Sequence, residues 1–248
     1  MRRRMAQGLI FLLIFQLLNF NILPNSLAAL GDLGPEIVGI SSYNNFTCMN
    51  AKTGQVYCWG QSTNSNLGTG LENDNAYPHK VYEISDSIKV DTGDSFACSL
   101  SKQGFVSCWG KNDIGQIGDG FIDSTDRIFP SYVAVVRNVI DIGVGDRHAC
   151  ALVNSGEVYC WGSDQFGQLG DVTRPTSNLV QKDLFSRIPV LVPIPEKMKS
   201  IAAGSNHTCG IAISGVVYCW GMNTVGQLGI GLQDVYVSPP KMVPTLQE

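Results

Sequence analysis

The stretch IAAGSNHTCGIAISGVVYCWGMNTVGQLG, residues 201–229, decides the fold, because each of its parts recurs elsewhere in the 248-residue chain. The string VYCWG stands at 217–221, at 158–162 and at 56–60, and VSCWG stands at 106–110. All four tryptophans of the protein, Trp59, Trp109, Trp161 and Trp220, belong to this one position, spaced by 50, 52 and 59 residues. Nine residues beyond each comes Gly68, Gly118, Gly170 or Gly229, and eight residues before the first cysteine of each unit stands Ile40, Val90, Ile142 or Ile201. Self-similarity at a period near 50 residues marks a repeat architecture, in which one supersecondary unit cannot bury its apolar face alone.

Each unit holds two cysteines ten positions apart: Cys48 and Cys58, Cys98 and Cys108, Cys150 and Cys160, Cys209 and Cys219. Recurrence of one pair at one spacing singles out an intra-unit connectivity from the 105 that eight cysteines allow. Placing Cys48 opposite Cys58 on an antiparallel hairpin makes Ala51 face Gln55 and leaves the loop Lys52-Thr53-Gly54. A three-residue hairpin loop wants glycine last, where φ is positive, and Gly104, Gly156 and Gly215 meet the same demand in the other units. Closing a loop of about 11 residues is worth up to about 2.8 kcal/mol per bridge. Zinc is the competing reading of paired cysteines. Tetrahedral sites, however, favour closer pairs with neighbouring histidines, and the three histidines here do not cluster.

Around each hairpin two further short strands are expected. One precedes the first cysteine, as at Val139–Val144, and one is opened by proline, as at Pro78, Pro130, Pro189 and Pro240. No mature segment has the periodicity of an amphipathic helix. Four short strands per unit of about 50 residues is the pattern of a propeller blade. The fold class is therefore all-β, a propeller of four units near 36–88, 89–138, 139–198 and 199–248, within one domain over 29–248. With four units, the ring is expected to be partial or completed by an oligomer. The alternative is a small closed four-bladed ring, in which the C-terminal strand from Pro240 to Val243 completes the first blade; in a head-to-tail assembly that strand would complete a neighbouring chain instead.

Arg2, Arg3 and Arg4 precede an apolar run from Leu9 to Leu18, with small residues at Ser26 and Ala28. Residues 1–28 are thus expected to be a secretory signal peptide cleaved after Ala28. An uncleaved anchor competes, but Asn19 and Asn21 interrupt the run well short of the about 20 apolar residues a span needs. Export, with location in the periplasm, on the cell surface or outside the cell, agrees with a disulfide framework. The whole chain carries a formal charge of −4 and loses three arginines with the leader, which excludes nucleic-acid binding by phosphate neutralisation.

The order of residues in 201–229 is similar to the repeat of the regulator of chromosome condensation superfamily, in a cysteine-paired form of the secreted bacterial type. Three units match well and the first departs. Tyr43 replaces the glycine of Gly93, Gly145 and Gly204, and Ser65-Asn66 replaces Gly115-Gln116. The resemblance implies a β-propeller. It also implies one of several functions hosted on that scaffold, among them guanine-nucleotide exchange on a small GTPase, ubiquitin-ligase modules and secreted enzyme inhibitors.

The residues themselves offer no catalytic constellation. His148 and His207 occupy the register of Phe46 and Phe96, which points to packing. Asp119 and Asp171 follow the G-Q-[LI]-G turn singly, without the D-x-D-x-D pattern of a calcium loop. No zincin, P-loop or nucleophile-elbow motif is present. No enzyme, cofactor or metal site is expected, and no membrane contact beyond the signal peptide. The longest variable segment, Asp171 to Arg187, supplies the expected protein-contact residues Arg174, Lys182, Asp183 and Phe185. The expected function is a secreted binding scaffold for a protein partner, with self-association a further expectation. Exchange on a GTPase and a propeller hydrolase are the competing readings.

Overall fold

The fold is described from a computed structural model over residues 34–121, 123–171 and 184–244. Sixteen strands follow one another with no helix between them among the described residues. The first blade comprises β1 (Ile37–Tyr43), β2 (Phe46–Ala51), β3 (Val56–Gly60) and β4 (Asn75–Lys80). The second comprises β5 (Ser87–Thr92), β6 (Phe96–Ser101), β7 (Val106–Gly110) and β8 (Arg127–Tyr132). The third comprises β9 (Val139–Val144), β10 (His148–Val153), β11 (Val158–Ser163) and β12 (Phe185–Leu191). The fourth comprises β13 (Met198–Ala203), β14 (His207–Ala212), β15 (Val217–Met222) and β16 (Tyr236–Met242). Each blade is an antiparallel meander of four consecutive strands. The C-terminal strand therefore completes its own blade through pairs such as Tyr218–Met242, which replaces the expectation that it completes the first.

The cysteine hairpins form in the anticipated register. Cys48 faces Cys58, and the corresponding pairs face each other in the other three blades, each at a Cα–Cα distance of 4.1 Å with the sulfurs at disulfide distance. Ala51 N–H donates to Gln55 O and Gly54 N–H to Ala51 O, both at 2.8 Å, and Gly54 takes φ +95°. The loop closes only because glycine accepts that backbone angle.

The outer strands begin three or four residues before their prolines, earlier than proline alone indicates. In the second blade, Cys108 pairs with Ser131 and Gly110 with Arg127, so that Ile128, Phe129 and Pro130 all stand opposite Trp109. The same slippage recurs in each blade. Proline sits inside this bulge, at the sheet edge, where no ladder bond is demanded of its missing N–H.

Successive blades stack through apolar faces. The junction of the second and third blades buries Phe96, Cys98, Val106, Ile117, Val133, Ile142, Ala149 and Trp161 in one cluster, and equivalent clusters form at the other two junctions. At each junction the following blade's tryptophan is fully buried and its indole N–H donates to the preceding blade's turn at 2.9 Å. Trp109 reaches Asn66 O, Trp161 reaches Gln116 O and Trp220 reaches Gln168 O. A buried indole needs such an acceptor, and the glycine two residues on admits the ring. A Cβ on Gly118 would lie 2.6 Å from the Trp161 ring.

Candidate functional site

The inner strands β1, β5, β9 and β13 run side by side, and their ends bring one turn from each blade to a common point. Asp94 N–H donates to Asp146 O and Asp146 N–H to Ser205 O, each at 2.9 Å, so the turns stack blade on blade. Glycine precedes three of these turns for a steric reason: a Cβ on Gly93 would meet Gly145 O at 2.1 Å, and one on Gly145 would meet Gly204 O at 2.5 Å. The fourth position is Tyr43, whose hydroxyl donates to Asp146 Oδ1 and lies 3.2 Å from Ser205 Oγ. The first blade is thereby tied to the third and fourth. Asn44 Nδ2 donates to Asp94 Oδ1 at 2.9 Å and Asn206 Nδ2 to Asp146 Oδ2 at 3.4 Å. Burial, then the bond to Asp146, holds the Tyr43 phenol above its ordinary pKa.

The inner strands themselves carry a second polar layer. Asp91 accepts from Ser41 Oγ at 2.9 Å and from Val144 N–H at 3.0 Å. Lys89 Nζ pairs with Asp141 Oδ1 at 2.7 Å and also donates to Ile142 O. Burial pushes the Asp91 carboxyl up, against the pull of Ser41 and Val144. These carboxylates bond to neighbouring blades, which gives them a positioning role in the stack. Among the described residues, no group of three or more His, Cys, Asp or Glu side chains is placed to hold a metal ion.

His148 is sealed in the core with Nε2 2.9 Å from Thr208 Oγ1, and burial, with His207 adding a smaller repulsion, lowers its pKa to about 3. His207 is half-buried and lowered by burial alone. Both rings pack over a glycine, Gly145 and Gly204, as Phe96 packs over Gly93. Asp119 pairs with Arg127 Nε at 2.6 Å and accepts from Phe121 N–H, as a turn former does.

Of the expected contact residues, Arg174, Lys182 and Asp183 lie outside the described residues. Phe185 opens β12 half-buried, with the Arg187 guanidinium 4.6 Å from its ring centroid. Sequence reasoning missed a second set of aromatics, on the first two blades. Tyr77 and Tyr132 on the outer strands are 78% and 70% exposed. Phe105 meets Tyr132 edge-on at 6.1 Å with Arg137 over its ring, and Tyr82 meets Phe129 at 4.6 Å. The available signal was the aromatics that flank the prolines, Tyr77, Phe129 and Tyr132.

Stacked four-stranded meanders, each latched to the last by a tryptophan, define a repeat protein of the β-propeller class. The chain belongs to the regulator of chromosome condensation (RCC1) repeat family. The repeat matches residues 53–100, 155–211 and 214–248, and a second form of the same repeat matches 139–168 and 198–227. The ultraviolet-B receptor UVR8 of Arabidopsis thaliana is 29% identical over 215 residues, 86% of this chain and 47% of its own. The probable E3 ubiquitin-protein ligase HERC4 of Homo sapiens is 34% identical over 113 residues, 44% of this chain and 10% of its own. Among solved structures, Prp20p of Saccharomyces cerevisiae superposes with a TM-score of 0.73 at 23% identity, covering 84% of this chain and 50% of that one. Human WBSCR16 gives 0.74 at 22% identity, covering 86% and 54%. These two likenesses concern the fold, and the chain spans about half the length of such relatives.

Proposed function

We propose that this chain is an exported, non-catalytic propeller that serves as a protein-binding scaffold. The observation that carries the reading is the set of solvent-facing aromatics beside arginines, in particular Phe105, Tyr132 and Arg137. Tyrosine, phenylalanine and arginine bring large contact area and dominate binding energy at protein interfaces. Arg174, Lys182 and Asp183, with Phe185 at the start of β12, are part of the proposed contact surface. Export is supported by the leader-like residues 1–28, which lie outside the described residues, and by four cysteine pairs at disulfide distance. The relatives are named for different tasks: an ultraviolet-B receptor, a probable E3 ubiquitin-protein ligase, and a protein whose structure is described with its binding to Gsp1p and histones. A shared fold therefore supports binding in general and names no partner.

The test is site-specific photo-crosslinking from position 132 in producing cells. The expected result is a discrete protein adduct that disappears in the Phe105→Ser variant while folding and export are retained. Equal labelling in that variant, or capture of a nucleotide-free GTPase by reduced, unexported protein, would replace this reading with the exchange-factor one.

A further inference from the structure

The three junctions inside the chain specify what a blade face requires of its neighbour, and the two end faces meet that specification for each other. On the leading side of a blade, Val90, Ile142 and Ile201 are buried against the preceding blade at 4%, 1% and 5% exposure, whereas Ile40 of the first blade stands 68% exposed. Trp59 is half-buried where its three counterparts are sealed, and it makes none of their indole bonds to a turn carbonyl among the described residues. On the trailing side, Val81, Val133 and Val192 are buried by the following blade, whereas Val243 is only half-buried. The fourth G-Q-L-G turn is formed, with Gly229 at φ +67°, but no indole fills it. A Cβ on Gly229 would meet only Val243 at 3.5 Å, where those on Gly68, Gly118 and Gly170 meet a tryptophan ring.

Among the described residues the first blade thus has an indole donor and an isoleucine with no receiving face, and the fourth has a receiving slot with nothing in it. The geometry points to a second copy of this chain as the occupant, docked head to tail. The fourth blade of each copy covers the first blade of the other, with Trp59 reaching the Gln227 carbonyl. The match is one of hydrogen-bond donor to acceptor and of apolar side chain to apolar face, in an arrangement the chain already makes three times. Because the two faces differ, the contact is heterologous, and two copies satisfy every face when the pair closes on a two-fold axis. Eight blades lie within the number propellers accommodate.

The test uses the full chain, exported and oxidised, with one charge on either face. Ile40→Glu alters the leading face and Val243→Glu the trailing face, both at positions already in contact with solvent in a single copy. Native mass spectrometry and sedimentation should give twice the chain mass for the parent protein. For each variant alone they should give a single chain, with the parent's far-UV circular dichroism spectrum retained and the dissociation constant rising at least about tenfold. Mixing the two variants should restore a dimer, because one copy retains the intact leading face and the other the intact trailing face. A parent protein that stays at the mass of one chain at all concentrations would overturn the assignment, whether its ends meet each other or stay open. So would a dimer that survives both substitutions, or a mixture no more associated than its components.

Discussion

The first and third blades carry the same hairpin and the same WG corner, yet one keeps its tryptophan half in solvent and the other seals it completely. The local sequence is nearly identical. What differs is the neighbour: the third blade leans on the Gly115–Gly118 turn of the second, and the first blade has no preceding blade among the described residues. Stability in such a stack is a sum of blade terms and junction terms, so equivalent substitutions should differ in cost by their junction share.

The largest test of that contrast is Trp161→Ala against Trp59→Ala. The sealed indole should cost about 3–5 kcal/mol, as large-to-small changes in a packed core do. The half-buried one should cost less than half of that in single chains, both read from urea unfolding in the Val243→Glu background, where no second copy covers Trp59. Next come the cysteine pairs, where the two blades should behave alike because the staple lies within a blade. Replacing Cys48 and Cys58, or Cys150 and Cys160, by alanine should each remove about 2–3 kcal/mol. Unequal losses would show that the bridge also acts across the junction.

Acid provides a third test, between the third and fourth blades. His148 in the unfolded chain protonates near its ordinary value of 6.5, while the folded ring stays neutral down to about 3. The stability from burying the neutral ring is therefore full above pH 6.5. It declines by up to about 1.4 kcal/mol for each pH unit as the solution is acidified toward the folded value. His148→Phe, which copies Phe96, should flatten that decline, and His207→Phe should flatten it less because His207 is only half-buried. Acid titrations followed by near-UV circular dichroism would separate the two. The smallest expected effect is at the surface: Lys197→Ala, which breaks the exposed pair with Glu157 at 2.8 Å, should change stability by less than about 1 kcal/mol.

The hairpins were legible because two independent demands coincide at fixed spacing: facing cysteines and a glycine closing the loop. The blade count followed from the tryptophans. The starts of the outer strands were not legible, since three residues slip past one partner there, and nothing in Asn75-Ala76-Tyr77 or Arg127-Ile128-Phe129 announces a bulge. The convergence around Asp146 was also hidden. Tyr43 was visible as a departure from glycine, but its reach to Asp146 and Ser205 depends on how closely four inner strands approach one another, which no single repeat encodes. The burial of Ile142 and the exposure of Ile40 are likewise properties of adjacency, and identical letters cannot distinguish them.

The slipped outer strands have a bearing on colloidal behaviour. A flat rim of free amides and carbonyls would invite sideways growth from molecule to molecule. Here each rim is kinked opposite its tryptophan and interrupted by a proline that offers no amide. Concentrated solutions should therefore bring these rims together without templating fibres.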